Sequence, residues 1–168
     1  PSTINTATEL GLDLHALGQL EAARQLNEDS FDRARRVLGA DHLWTMKCAN
    51  NLAGDLHALG ESEAARHLGE DTLTRARRLL GDECYLTMDV ANNLATTLLG
   101  LAEVESARQL SEDTLVRARR VFGEVHPRTR KAADNLAAAL PLLREAELTE
   151  QDDPGSADGR HHKHRPSD

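Results

Sequence analysis

Leu59-Gly60-Glu61-Ser62-Glu63-Ala64-Ala65-Arg66 decides the fold, because the chain carries it three times. Its counterparts are Leu17-Gly18-Gln19-Leu20-Glu21-Ala22-Ala23-Arg24 and Leu101-Ala102-Glu103-Val104-Glu105-Ser106-Ala107-Arg108, each 42 residues away without a gap. Two further blocks keep the same interval. One is Arg33-Ala34-Arg35-Arg36, Arg75-Ala76-Arg77-Arg78 and Arg117-Ala118-Arg119-Arg120; the other is Ala49-Asn50-Asn51-Leu52-Ala53, Ala91-Asn92-Asn93-Leu94-Ala95 and Ala133-Asp134-Asn135-Leu136-Ala137. Three blocks in one register establish a long-period repeat, in which each unit buries its apolar face against its neighbours. His126-Pro127-Arg128-Thr129 opens the last unit, and three periods before Pro127 stands Pro1, so Pro1-Ser2-Thr3 matches the start of a unit. With no initiator Met, the expectation is a fragment of a larger protein, entered in mid-array.

Within the middle unit, apolar residues fall at steps of three and four. Ala49, Leu52, Ala53, Leu56 and Leu59 form one stripe; Ala65, Leu68, Leu73, Ala76, Leu79 and Leu80 form another. Such spacing predicts a pair of amphipathic helices. Gly60 separates them and Gly81 ends the second, each suited to the positive φ that closes a helix. Gly39 and Gly123 repeat the second signal. Glu21–Arg24, Glu63–Arg66 and Glu105–Arg108 are i,i+3 pairs, and Asp29–Arg33, Asp71–Arg75 and Asp113–Arg117 are i,i+4 pairs. Each adds about 0.2–0.5 kcal/mol to its helix. Acids early and the Arg block late also suit the helix dipole, so these charges read as a solvated helix face.

The resulting fold class is all-α: an α–α superhelix of antiparallel helix pairs, about 3.5 repeats and seven helices. Their expected spans are 3–17, 20–38, 44–59, 62–80, 86–101, 104–122 and 127–147. The units run about 1–42, 43–84 and 85–126, with 127–148 a terminal single helix and 149–168 a disordered tail. Pro141 is expected to kink the last helix or end it early.

Composition narrows the function. Hydrophobic residues make up 39% and aromatics 2%, so the core is built mainly from Leu and Ala. A net charge of −8 argues against a nucleic-acid partner. No apolar run approaches the roughly 18 residues of a membrane span, and no signal peptide is visible. Cys48 and Cys84 share no repeat position and show no metal or redox spacing. They are expected to be free thiols in a reducing, cytoplasmic compartment. No Gly-rich phosphate loop, no His-Glu-x-x-His and no nucleophile–base constellation is evident, so neither an enzyme nor a cofactor is expected. His161-His162-Lys163-His164 could hold Ni or Zn loosely, but the tail is expected to stay disordered.

The run Asn51-Leu52-Ala53 … Leu59-Gly60 … Ala64-Ala65 … Leu80-Gly81, with His126-Pro127 … Thr129, resembles the tetratricopeptide (TPR) family over residues 1 to about 147. The 42-residue unit is similar to that of kinesin light chains and of many bacterial signalling proteins, where such arrays often follow an NB-ARC-type nucleotide-switch domain. The chain departs from the family in three places. Leu56 and Leu98 stand where a Tyr is usual; Asn27, Gly69 and Ser111 stand where a large residue is preferred; and Ala102 replaces a turn glycine. Looser packing within units and marginal stability are the expected consequences.

The resemblance implies a scaffold that binds a protein or peptide in a concave groove lined by first helices. Carried onto this chain, one helical face supplies Thr8 and His15; Lys47, Asn50, Gly54 and His57; Asp89, Asn92 and Thr96; and Lys131, Asp134 and Ala138. Asn is a poor helix-interior residue, and its amide can both donate to and accept from a peptide backbone. Asn50 and Asn92 are therefore read as groove residues, and Asn51, Asn93 and Asn135 as bonds between neighbouring helices. His15 and His57 share a repeat position without further metal ligands, and are expected to be solvent-exposed. Trp44 is expected at a junction between units, with a partner anchor as the alternative. Against the groove stands a structural or regulatory arm of a nucleotide-switch protein, or self-association through exposed end helices.

Overall fold

A computed structural model describes the backbone of residues 2–151 and the side chains of residues 6–145 and 148. Seven helices follow one another: α1 (Ser2–Ala16), α2 (Leu20–Leu38), α3 (Leu43–Ala58), α4 (Ser62–Leu80), α5 (Tyr85–Gly100), α6 (Val104–Phe122) and α7 (Pro127–Gln151). Each packs against the next, and the first helices of neighbouring units also touch, α1 on α3, α3 on α5 and α5 on α7. The expected all-α solenoid is the observed architecture.

The turns show why the chain doubles back. Gly18 and Gly60 take φ of 73° and 83°, and Glu61 N–H donates to Leu56 O at 2.8 Å, closing α3 with a left-handed cap. Ala102 occupies the third such turn with φ of 59°, and Glu103 N–H donates to Leu98 O at 2.9 Å. The turn is thus preserved, with an alanine in a conformation costing roughly 1–2 kcal/mol for an L-residue. At two of the three junctions between pairs, Thr45 Oγ1 donates to Gly39 O and Thr129 Oγ1 to Gly123 O, while the equivalent Thr87 Oγ1 has no partner among the described residues. At those two junctions the Thr anchors the next first helix to the carbonyl of the closing glycine.

The core is small-residue packing capped by leucines. Ala23, Ala65 and Ala107, and likewise Ala34, Ala76 and Ala118, are almost wholly buried. They let helices approach closely around Met46, Leu73, Leu86, Val90, Leu94 and Leu98. At two of the positions where looser packing is expected, Asn27 and Gly69, close neighbours stand against the chain. Asn27, Gly69 and Ser111 are all buried, and a Cβ on Gly69 would stand 3.2 Å from a Leu94 methyl. Likewise a Cβ on Gly11 would stand 2.6 Å from Asn27 Oδ1. At Gly69 the space is taken by Leu94 of the next unit, and at Asn27 the amide itself lies against Gly11.

Charges do more than decorate helices. Most of the expected local pairs form, though Asp29–Arg33 does not. Arg24 also reaches Glu61 of the next unit at 3.4 Å and Arg66 reaches Glu103 at 3.3 Å, one period on. In the other direction Arg78 pairs with Asp41 and Arg120 with Glu83. The Arg-rich blocks therefore tie units together along the outer wall.

The last helix differs from the expectation. It continues through Pro141 and reaches Gln151, into the stretch expected to be tail. The remainder of that tail, with its histidines, lies outside the described residues. No helix among the described residues is long and apolar enough to cross a membrane.

Candidate functional site: the groove along the first helices

Because α1, α3, α5 and α7 lie side by side, their shared face forms a concave strip. Two depressions of about 300 and 610 Å³ open along it. Both are lined by Leu12, Asn50, Asn51, Asn93 and Lys131, so they form one continuous groove. His57 and Thr96 line the smaller part; Lys47, Asp89 and Asn92 line the larger. Nine of the twelve residues expected on the groove face line one depression or the other, His15 and Gly54 among them; Thr8, Asp134 and Ala138 do not. Asp134 and Ala138 are exposed on α7. Thr8 is fully buried against Cys48 Sγ, away from the groove.

An amide ladder holds the floor in place. Asn93 Nδ2 donates to Asn50 Oδ1 at 3.0 Å, and Lys131 Nζ donates to Asn93 Oδ1 at 2.7 Å. One unit on, Asn135 Nδ2 donates to Asn92 O, and Thr96 Oγ1 donates to Asn135 Oδ1. Asn93 and Asn135 are inter-helix bonds, as their spacing suggests. Asn92 is more committed to the scaffold than its position implied: it is 2% exposed and donates to Arg128 O at 3.2 Å. Neither its Oδ1 nor Asn51 Nδ2 has a partner among the described residues. Unsatisfied buried polar atoms are costly, and they mark where a ligand group can be received.

The sign of the groove differs from that of the chain. Arg128 is neutralised by a two-pronged pair with Asp89, at 2.6 and 2.8 Å. Its guanidinium is further held over the Tyr85 and Phe122 rings. Lys47 lies 4.8 Å over the half-buried Trp44 ring and makes no ion pair among the described residues. Lys131 likewise has an amide rather than a carboxylate as its bonded partner. Lys131 is exposed, and partial loss of hydration at its ammonium pulls its pKa below the usual lysine value against the opposing charge of Asp89. Two lysines thus face the groove without a bound carboxylate in a chain of net charge −8, the acids lying largely on second helices and turns.

One cluster escaped the sequence reading. Asp55 is 2% exposed, taking His15 Nδ1 on one oxygen at 2.6 Å and Asn27 Nδ2 on the other at 2.6 Å. Helices α1, α2 and α3 therefore meet on one carboxylate. His15 is thus tied down, not merely a surface histidine. The only signal was a joint departure from the repeat, since Asp55 has Thr97 and Ala139 as later equivalents while Asn27 has Gly69 and Ser111. His57 is also half-buried, with Ser62 Oγ 3.3 Å from its Nδ1.

Comparison with known proteins agrees with this architecture. Solved structures similar in fold include nearly identical TPR-like repeats of a Podosopora anserina protein described as a kinesin light chain. That match has a TM-score of 0.77 and 24% identity, covering 98% of this chain and 80% of that one. A point variant of those repeats gives the same score and identity over 90% and 73%. BtubC (BKLC) from P. vanneervenii matches with a TM-score of 0.62 at 18% identity, over 98% and 68%. No curated protein sequence matches the chain. Models of the tetratricopeptide repeat match residues 2–78 and 87–128. With the 42-residue period and the stacked helix pairs, these matches show that the chain belongs to the tetratricopeptide repeat family.

Proposed function

We propose that the chain is a non-catalytic scaffold, part of a larger cytoplasmic protein, whose groove grips an extended segment of another protein. The carrying observation is the continuous depression along α3, α5 and α7, with Lys47 and Lys131 facing it without a bonded carboxylate. That arrangement favours a segment with acidic side chains. Asn50 and the unpartnered Oδ1 of Asn92 supply amide groups for its backbone, Thr96, His57 and Asp89 border them, and Asp134 extends the same face of α7. Two free thiols, Cys48 and Cys84, support a reducing compartment.

The reading is tested on a peptide array probed with the wild-type chain and with a Lys47→Glu, Lys131→Glu double variant of unchanged helical circular dichroism. Wild-type capture is expected to concentrate on acidic peptides and to fall at least about tenfold in the variant, an effect of about 1.4 kcal/mol. A parallel Asn50→Ala, Asn92→Ala chain is expected to lose capture of all peptides alike. Undiminished capture by both variants would remove the groove as the site.

A further inference from the structure

Two consecutive units carry histidine at the same repeat position, as His15 and His57, and the two rings keep different company. His15 Nδ1 lies 2.6 Å from Oδ1 of Asp55, which stands 40 residues on. The residue at that interval from His57 is Thr97, which is 3% exposed and donates its hydroxyl to Asn93 O of its own helix. His57 therefore lacks the carboxylate that its counterpart holds. From α4, Ser62 Oγ stands 3.3 Å from its Nδ1. From α5, Gly100 gives the ring room, since a Cβ there would stand 2.8 Å from the His57 Cε1.

The charges around this half-buried ring leave a place for an anion. His57 of α3 and Lys131 of α7 both line the smaller depression of about 300 Å³. His15 of α1 and Asp55 of α3 line it as well, but the two Asp55 oxygens are already taken, by His15 and by Asn27 of α2. Among the described residues, neither His57 nor Lys131 has a carboxylate as its bonded partner. Lost hydration, and then the charge of Lys131, hold the His57 imidazole below its ordinary pKa. A carboxylate entering beside the two would offset the lysine charge and favour the protonated ring. Binding and protonation are reciprocal, so such a ligand binds more tightly as pH falls, by up to about tenfold per pH unit for one proton.

We propose that the smaller depression is a subsite for a carboxylate side chain of the bound segment, and that His57 takes up one proton from solvent as that side chain enters. This rests on the groove as the binding face. The acidic peptide captured most strongly on the array, carrying a rhodamine label, is titrated by anisotropy onto the full chain at about pH 7.5 and about pH 5.5, where its carboxylates stay ionised. Affinity is expected to rise at least about threefold at the lower pH. His57→Gln, with helical circular dichroism unchanged at both pH values, is expected to flatten that rise. In proton NMR the His57 ring resonance, assigned by its absence from that variant, should titrate at higher pH once the chain is saturated with peptide. A His57 midpoint that the peptide leaves unmoved, or a rise retained in His57→Gln, overturns the subsite while the groove reading stands. Acidic capture absent at both pH values, or undiminished by Lys47→Glu with Lys131→Glu, overturns the groove and the subsite together.

Discussion

Asn93 on α5 donates its side-chain amide to the amide oxygen of Asn50 on α3, 3.0 Å away, and receives Lys131 of α7 on its own oxygen. One residue thus joins three consecutive first helices along the groove floor. Asn93→Ala removes both bonds and leaves Asn50 Oδ1 without its donor. The expected loss is about 1–3 kcal/mol of folding stability in urea denaturation. Asp134→Ala, on an exposed side chain, is expected to stay within about 0.5 kcal/mol of wild type.

Ala102 holds a φ of 59° at a turn where the other two units use glycine. Ala102→Gly relieves that strain, against the extra freedom that glycine gives the unfolded chain. The left-handed penalty is the larger quantity, so the variant should gain up to about 1 kcal/mol. A lower melting temperature for Ala102→Gly would contradict this reading of the turn.

Gly69 lies where the family prefers bulk, and a Cβ there already falls 3.2 Å from Leu94. Restoring a large residue is therefore expected to harm. Gly69→Leu overpacks the α4–α5 contact and should lose about 1–3 kcal/mol, read as a lower urea midpoint.

His57 is held below the ordinary imidazole value, first by lost hydration and then by the charge of Lys131. The unfolded chain takes up the proton at higher pH than the folded one. Stability from this residue is therefore full above about pH 6.5 and declines as pH falls toward the depressed folded value. His57→Leu, which copies Leu99 of the next unit, should lessen the fall in urea midpoint between about pH 7.5 and about pH 5. An unchanged pH dependence in that variant would count against a buried neutral imidazole.

Helix spans and the repeat were legible because their causes are local: apolar residues at steps of three and four, and glycines between them. Local pairs such as Glu63–Arg66 could be read the same way. The bridges from Arg24 to Glu61 and from Arg78 to Asp41 depend on how one unit is set against the next, and no spacing rule contains that angle. Asp55 was hidden for a related reason. Its burial requires His15 and Asn27 together, from two other helices, and neither Asp55 nor Asn27 is kept in the later units. Asn92 matched its expected face, yet the carbonyl of Arg128 that occupies its amide becomes visible only once α7 is in place. The extension of α7 past Pro141 ran against the ordinary cost of proline inside a helix.

The central claim is that a partner segment lies along the first helices. Its most direct test is amide chemical-shift mapping of the labelled chain with an acidic peptide selected on the array. Shifts are expected to concentrate on Lys47, Asn50, His57, Asn92, Thr96 and Lys131, with the outer faces of α2, α4 and α6 unmoved. Shifts confined to those outer faces, with the groove amides unchanged at saturation, would contradict it.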